Sequence, residues 1–150
     1  MSKTINRLRA RKPDQGFTLI ELLVVVVIIG VLVAIAVPVY LNYRKGAADK
    51  SAQSDVRGAI SAVEQYYTEN GNTYPAAFAS LTTASIPLGT SSQRITLSDK
   101  TTMTYVPVAS TSYLLCATNS GGSGKVYLYE SAAGGSVKVP TTAVAIATCR

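Results

Sequence analysis

One acidic side chain, Glu21, lies near the start of an apolar run that extends from Phe17 to Leu41. An ionised carboxylate inside a bilayer is costly, so such a group is normally neutralised by a partner. The N-terminus of a neighbouring chain would supply the complementary charge, because an α-amine is largely cationic at neutral pH. Glu21 therefore indicates ion pairing between chains rather than bond-breaking chemistry.

The side chains of common catalytic sites are scarce in this sequence. It contains no histidine, which excludes Ser-His-Asp and Cys-His catalysis and removes the commonest metal ligand. After Glu69 only Asp99 and Glu130 are acidic, so paired carboxylates for acid-base catalysis are hard to assemble. No glycine-rich phosphate loop follows a predicted strand. We therefore expect no enzymatic activity, no metal and no cofactor.

Positive charge is concentrated near the N-terminus. The chain has 14 Lys+Arg and 8 Asp+Glu, for a net charge of +6. Five basic residues and one acidic residue precede Phe17, which leaves nine basic and seven acidic residues, a net charge of +2, in the remainder. Lys and Arg before an apolar helix hold that end in the cytoplasm. Nucleic-acid binding is not predicted, although a membrane-anchored adhesin or DNA-binding module is an alternative.

The apolar run itself predicts a membrane-spanning helix. From Leu22 to Leu41 no residue is charged, and about 20 residues at ~1.5 Å each span the ~30 Å hydrocarbon layer. A cleavable secretory signal is the competing interpretation, with Leu22 to Val33 as its apolar region and Ala34-Ile35-Ala36 as its cleavage site. Glu21 at the start of that region argues against it.

The segment Gly16-Phe17-Thr18-Leu19-Ile20-Glu21-Leu22, after a short basic leader, resembles the class III signal of type IV pilins and related pseudopilins. The resemblance is specific over residues 1 to 45 and loose beyond them. It implies that a prepilin peptidase cuts between Gly16 and Phe17 and methylates the new amine of Phe17. Residues 1–16 would then be a leader peptide, and the apolar helix would be retained.

The same resemblance implies a structural subunit that forms a helical homopolymer. Its partners would be further copies of itself, prepilin peptidase, the pilus assembly platform with its ATPase, and the cytoplasmic membrane before assembly. The subunit, which we expect to be a major pilin, would end in an extracellular filament used in motility, adhesion or DNA uptake. Phe17 and Glu21 would set the register between subunits, because a buried charge selects register more than it adds stability.

A major pseudopilin of a type II secretion or competence system is the alternative within the family. Such pseudopilins commonly bind calcium through acidic C-terminal loops. Calcium requires six to eight oxygen ligands with several carboxylates among them, and this chain has too few acidic residues for such a site.

Gly30 and Pro38 predict a weak stretch in the apolar helix. Proline removes the amide that would bond to the Ala34 carbonyl, and glycine is a poor helix former. Because this region of related pilins can lose helicity on assembly, the resemblance implies an extensible segment here. A simple kink at Pro38, or close packing of membrane helices at Gly30, are the alternatives.

The predicted fold is α+β. Apolar residues at three- and four-residue spacing continue the helix to about residue 70, so that 17–41 is its membrane and assembly half and 42–70 its amphipathic half. We expect Asn70-Gly71 to end the helix, and the charged residues after the membrane exit to lie on a solvated or headgroup-level surface. The packing residues are Val56, Ala59, Ile60, Val63, Tyr66 and Tyr67, and the charged ones are Arg44, Lys45, Asp49 and Lys50.

Residues 71–150 predict a globular head with an antiparallel sheet packed on the helix. Phe78 to Leu81 is predicted as a short helical turn, and Pro107 at a sheet edge or strand end. The predicted strands are Arg94 to Leu97, Thr102 to Val108, Tyr113 to Thr118, Val126 to Tyr129 and Val137 to Val139.

The two cysteines, Cys116 and Cys149, fit one disulfide in a compartment outside the cytoplasm. Two buried free thiols are the alternative. The pair resembles the C-terminal disulfide-bounded loop of type IV pilins. Such a bond would fasten the end of the chain to a strand.

Overall fold

The computed structural model describes residues 16–150, so the predicted leader lies, apart from Gly16, outside the described residues. One long helix precedes six strands. The elements are helix α1 (Leu19–Glu69) and strands β1 (Phe78–Leu81), β2 (Ser85–Pro87), β3 (Arg94–Thr96), β4 (Thr101–Val108), β5 (Ser112–Asn119) and β6 (Tyr127–Glu130). The chain divides after Pro38 into two units.

The described part of the first unit is the apolar segment of α1. Each residue from 16 to 38 is exposed, and the α-helix continues without interruption through Gly30 and Pro38. Among the described residues, α1 is long and apolar enough to cross a membrane. The segment therefore presents its apolar side chains around its whole circumference, as expected of a helix that lies in lipid or among other helices.

The second unit is built on the C-terminal half of α1. Its inward face consists of Ala52, Val56, Ala59 and Val63, which are all fully buried. The predicted packing face is therefore the face that packs. The spacing of these residues, three or four apart, places them on one side of the helix.

The helix ends where the sequence predicts. Gly71 adopts a left-handed conformation with φ of 62°, and the Asn72 amide donates to the Tyr67 carbonyl at 3.0 Å. This hydrogen bond, from an amide to the carbonyl five residues earlier, is that of a Schellman motif. Glycine is common after the last helical turn of this motif because the left-handed conformation does not strain a residue without a side chain.

The main sheet has four antiparallel strands in the order β1-β4-β5-β6. Strands β4 and β5 pair along their full eight residues, and Tyr105 lies opposite Leu115. Strands β4, β5 and β6 form the predicted meander. Pro107 is the penultimate residue of β4, beyond the last pairing with β1 at Tyr105, so its missing amide leaves no ladder bond to β1 unmade.

Phe78–Leu81 is strand β1, so the predicted helical turn is wrong. Its apolar residues three apart suit a helical turn, but they also suit a strand that contains a bulge. The register shifts between Phe78 and Leu81, and Ser80 has a φ of 52°. The Phe78 ring stacks on Tyr105 with their centroids 5.6 Å apart. Pairing with β4 therefore decides the local conformation.

One further predicted strand is wrong, and one observed strand has no counterpart in the prediction. Val137 to Val139 does not form a strand, because its pairing is limited to a single bridge between Lys138 and Leu128. Strand β2 was not predicted. It pairs with β3 in a separate two-stranded sheet and places Ile86 opposite Ile95, and both side chains are buried.

Aromatic packing dominates the interior between helix and sheet. Tyr105 and Tyr113 are both fully buried, with ring centroids 5.6 Å apart. The Tyr113 hydroxyl donates a hydrogen bond of 2.7 Å to Glu64 on α1. Burial, and then this hydrogen bond, raises the pKa of Tyr113. These two strand tyrosines therefore act as core residues.

Candidate functional site

The first turn of α1 contains the residues that the sequence places at the centre of function. The helix begins at Leu19, and Gly16, Phe17 and Thr18 precede it in a non-helical conformation. All three are exposed, and Phe17 retains 88% of its accessible surface. The bond between Gly16 and Phe17 thus lies in an accessible, non-helical segment.

Thr18 and Glu21 form a reciprocal pair at the helix start. The Thr18 amide donates to Glu21 Oε2 at 2.9 Å, and the Thr18 hydroxyl donates to the same oxygen at 2.8 Å. The Glu21 amide in turn donates to the Thr18 hydroxyl oxygen at 3.3 Å. This is a capping box, in which the N-cap residue and the third helical residue satisfy each other's free amides.

The capping box uses one of the two Glu21 carboxylate oxygens. Within residues 16–150, the hydrogen bonds of the carboxylate go to Oε2, and Oε1 receives none. A cationic group can therefore approach Oε1 while the cap stays intact. The arrangement orients the carboxylate, because its rotation would break both bonds from Thr18.

Thr18 was missed in the sequence. The signal was present, because Thr-x-x-Glu directly before an apolar run is the pattern of a capping box. The charge of Glu21 was interpreted only as a partner for an amine. The structure adds that the same side chain begins the helix.

Gly30 and Pro38 lie in the uninterrupted part of α1. A Cβ atom added to Gly30 would meet nothing within 4 Å, so this glycine is not needed for a contact within the described chain. Close packing between chains and extensibility at these two positions both stay predictions.

Cys116 and Cys149 are joined by a disulfide with a Cα–Cα distance of 5.6 Å. Cys116 is on β5, and with Leu128 on β6 the two half-cystines form a small buried cluster beneath the C-terminal segment. The bond therefore fastens the end of the chain to the central part of the sheet.

Two buried aspartates on α1 hold loops of the second unit, and we call them the carboxylate clamps. Asp49 accepts hydrogen bonds from the amide and the hydroxyl of Ser123, at 2.9 and 2.5 Å. Asp55 accepts the corresponding bonds from Ser98, at 2.9 and 2.8 Å. The prediction that Asp49 lies on a solvated surface is wrong, since only 5% of its surface is exposed. Its partner is 74 residues away in sequence, which local spacing cannot reveal.

The acidic side chains are dispersed in the described residues, and the two cysteines are joined to each other. Within 16–150, no three side chains of His, Cys, Asp or Glu come together in a way that could hold a metal ion. Glu21 serves as a cap and the two aspartates as clamps, whereas Glu130 pairs with Lys138 at 2.7 Å.

Residues 11–37 match the family model described as the prokaryotic N-terminal methylation motif. The type IV wide pilus major component PilA4 of Thermus thermophilus is 36% identical over 108 residues, which cover 72% of this chain and 76% of PilA4.

Other relatives match mainly over a shorter region. The type IV major pilin PilE1 of Neisseria gonorrhoeae is 43% identical over 58 residues, which are 39% of this chain and 35% of that pilin. The fimbrial protein EcpC of Eikenella corrodens is 41% identical over 61 residues, or 41% of this chain and 40% of EcpC. The matched part of the chain thus spans well under half the length of these two relatives.

Proposed function

Because this chain belongs to the type IV pilin family, a structural and non-enzymatic kind of protein, we propose that it is the major subunit of a type IV pilus. The observation that carries the proposal is the similarity to PilA4 over 72% of the chain. Similarity of that extent continues well beyond the N-terminal helix. The chain is anchored in the membrane as a precursor by its apolar helix and then becomes part of an extracellular filament.

Processing is the first step of the proposed mechanism. Prepilin peptidase would cut between Gly16 and Phe17, where the backbone is exposed and has not yet entered the helix. The cut creates a cationic amine on Phe17, and methylation to a secondary amine leaves that charge in place. A peptidase can bind an extended segment of this kind without unwinding the helix.

Polymerisation would then bring the Phe17 amine of one subunit to Glu21 of its neighbour. The capping box supports this role, because it fixes the carboxylate through Oε2 and leaves Oε1 without a hydrogen bond from residues 16–150. An uncompensated charge among apolar helices is strongly disfavoured. The pairing therefore selects one axial register among the many that smooth apolar helices would permit.

The exposed apolar surface of α1 supplies the cohesion of the filament. In the bilayer, lipid covers this surface, so helix association there gains little from the hydrophobic effect. After extraction, only other subunits can cover it, and the same surface then favours the bundled state. Moving the helix out of lipid requires work, for which we propose the assembly platform and its ATPase as partners.

We further propose that the stretch between Gly30 and Pro38 extends when subunits assemble. Proline in a helix interior removes one hydrogen bond, and glycine lowers helix propensity by about 1 kcal/mol relative to alanine. Both residues lie in the segment that would be packed against neighbouring subunits. Loss of helicity between them would let the N-terminal turn reach its register while the head keeps its own contacts.

The N-terminal mass of the mature chain tests the proposal. The protein would be isolated from cells that contain a prepilin peptidase, and its N-terminal peptide measured by mass spectrometry. The expected N-terminus is Phe17 carrying one methyl group, with a Gly16→Asp variant as the uncut control. A mature chain that begins at Val37, as a secretory signal would produce, would overturn the proposal.

A further inference from the structure

A basic cavity lies in the second unit beside the point where α1 leaves its apolar run. Its volume is about 360 Å³, and it is open to the surface. Leu41, Arg44 and Lys45 of α1 line one side, and Asp99 and Lys100 of the loop before β4, with Asn119 at the end of β5, line the other. These three basic residues and one acidic residue give the lining a net charge of +2. We refer to this feature as the basic cavity.

The backbone around Lys100 is held firmly although its conformation is unusual. Lys100 has a φ of 62°, a left-handed conformation that non-glycine residues seldom adopt. The Ser120 amide donates to the Lys100 carbonyl at 3.1 Å, and the Asn119 side chain donates to the Asp99 carbonyl at 2.9 Å. Strain of this kind persists only where surrounding contacts enforce it, and it is most frequent at functional sites. The backbone from which the Lys100 side chain extends is therefore fixed by these hydrogen bonds.

If the apolar run spans the bilayer, the helix residues that line the cavity lie at the depth of lipid headgroups. Leu41 is the last residue of the apolar run, and Arg44 follows it by three helical residues, or about 4.5 Å along the axis. The headgroup layer on each side of a bilayer is about 5 to 7 Å thick. Cations at this distance from the hydrocarbon boundary meet lipid phosphates rather than bulk water.

Aromatic residues mark the same level. Tyr40 and Tyr43 are both exposed, at 59% and 78%, and the Arg44 guanidinium lies 5.9 Å from the centre of the Tyr40 ring. Tyrosines at the ends of membrane helices are typical of the interface, where the ring contacts lipid tails and the hydroxyl contacts headgroups. Arg44 thus both lines the cavity and lies close to a tyrosine of the type found at the membrane interface.

We propose that the basic cavity binds the phosphate of an anionic phospholipid, of the phosphatidylglycerol type, while the subunit waits in the membrane. Arg44 and Lys45 hold the phosphate from the helix, and Lys100 closes over it from the loop. The lipid then fixes the head against the outer surface of the membrane before extraction. This inference rests on the membrane-anchored stage of the proposed function and is independent of polymerisation.

The test uses the full chain in an uncharged maltoside detergent. Dihexanoyl phosphatidylglycerol would be titrated into the ¹⁵N-labelled protein, with dihexanoyl phosphatidylcholine and inorganic phosphate as parallel probes. The expected result is a saturable shift of the Lys100 and Gly121 amide signals with phosphatidylglycerol alone. Equal shifts with phosphatidylcholine, or equal affinity for inorganic phosphate, would overturn the lipid assignment.

Variants in which a basic residue is replaced by neutral glutamine identify the side chains that bind the phosphate. Lys100→Gln and Lys45→Gln should each weaken phosphatidylglycerol binding by about fivefold or more, as loss of one charge-assisted contact predicts. Lys50→Gln is the matched control, because Lys50 is exposed on the same helix but does not line the cavity. An equal loss in Lys50→Gln would show attraction to net charge only, and the proposal would fail. If Lys100→Gln does not fold, Lys45→Gln and Arg44→Gln decide the result.

The other occupant that the charges allow is an acidic segment of a neighbouring subunit. In that case phosphatidylglycerol would cause no saturable shift, while the Lys45→Gln and Lys100→Gln variants would form fewer filaments. That pair of results would overturn lipid binding. Correct processing to N-methyl-Phe17 in the same preparation would show that the pilin function still stands.

Discussion

Glu21 accepts two hydrogen bonds from Thr18 through a single carboxylate oxygen, at 2.9 Å from the amide and 2.8 Å from the hydroxyl. The residue proposed to pair with a neighbouring subunit therefore also caps its own helix. The two roles use different properties of the side chain. Capping needs an acceptor oxygen, whereas pairing with an amine needs the negative charge.

Substitutions at Glu21 and Thr18 should separate these roles. Glu21→Gln keeps an acceptor oxygen but removes the charge, so we expect normal processing and at least a roughly tenfold loss of filaments, since an unpaired amine would be left among apolar helices. Thr18→Val removes the capping hydroxyl but keeps the charge of Glu21, and we expect a smaller loss, on the order of two- to fivefold, from fraying of the first turn. The measurement is the ratio of sheared filament to total mature protein.

The control for this series is Thr18→Ser, which keeps the capping hydroxyl and should assemble as the natural chain does. Wild-type filament levels in Glu21→Gln would show that the charge is not needed for register. Equal losses in Glu21→Gln and Thr18→Val would contradict the expected order and show that the charge matters no more than the capping hydroxyl.

Gly122 and Gly58 should respond in opposite directions to the same substitution. A Cβ atom on Gly122 would collide with Asp49 Oδ1, whereas one on Gly58 would meet nothing within 4 Å. Gly122→Ala would displace Asp49 from Ser123 and destabilise the fold by about 1 to 3 kcal/mol, because a buried carboxylate would lose partners. Gly58→Ala should stabilise the exposed helix position by about 0.5 to 1 kcal/mol.

Chemical denaturation of the full chain in detergent would measure both changes in the free energy of unfolding. If Gly122→Ala proved neutral, the Asp49 clamp would have to be weaker than its distances suggest. Asp49→Asn in the same experiment would then show whether the carboxylate itself contributes.

Loss of the disulfide should destabilise the second unit. For a loop closed between Cys116 and Cys149, whose separation is 33 residues, chain entropy predicts about 4 kcal/mol, and about 2 to 4 kcal/mol is the realistic range. The double variant Cys116→Ser/Cys149→Ser should therefore unfold at lower denaturant concentration. The reduced natural chain should behave in the same way, whereas reductant should not affect the variant. No difference between oxidised and reduced protein would contradict the prediction.

Stability should fall at alkaline pH because of buried tyrosines. Burial raises the pKa of Tyr113 above the ordinary value of 10.0, and its hydrogen bond to Glu64 raises it further. Burial also raises the pKa of Tyr105, Tyr74 and Tyr127. In the unfolded chain these groups lose their protons from about pH 10, while the folded chain keeps them, so the free energy of unfolding decreases as the pH rises.

The expected slope is up to about 1.4 kcal/mol per pH unit for each such tyrosine, beginning near pH 10. Tyr113→Phe should make the decline less steep, because one of the groups that ionise on unfolding is gone. The same variant should be less stable at neutral pH by about 1 kcal/mol, since the hydrogen bond to Glu64 is lost. Denaturation midpoints at pH 8, 10 and 11 would measure both effects, and an unchanged slope would contradict the role assigned to Tyr113.

Much of the long helix could be predicted because its determinants are local. Each of these determinants affects only the few helical turns around it. They are the apolar run, the three- and four-residue spacing from Val56 to Val63, and Gly71 at the helix end. The charge at Glu21 is informative for the same reason, since a single carboxylate among apolar residues is recognisable from the adjacent sequence. The role of Thr18 was equally predictable from the sequence, because the two residues of a capping box are only three positions apart.

The features that sequence reasoning missed depend on distant partners. Phe78 to Leu81 became a strand because β4 pairs with it, and Ser80 absorbs the bulge that keeps both apolar ends toward the core. Asp49 was buried because a loop 74 residues later supplies two donors. Neither the strand pairing nor the distant hydrogen-bond donors can be inferred from the spacing of nearby residues, so they are seen only in the structure.

The two carboxylate clamps attach the helix to the loops of the sheet at two separate heights, in addition to the apolar core. Asp49 and Asp55 are six residues apart on α1, or about 9 Å along its axis, and each is bonded to a different loop of the sheet. In the proposed filament, a pulling force that enters a subunit along its helix would reach the sheet through both clamps. Rupture of one attachment leaves the other to bear the load, so the helix and the sheet resist being sheared apart in a single event.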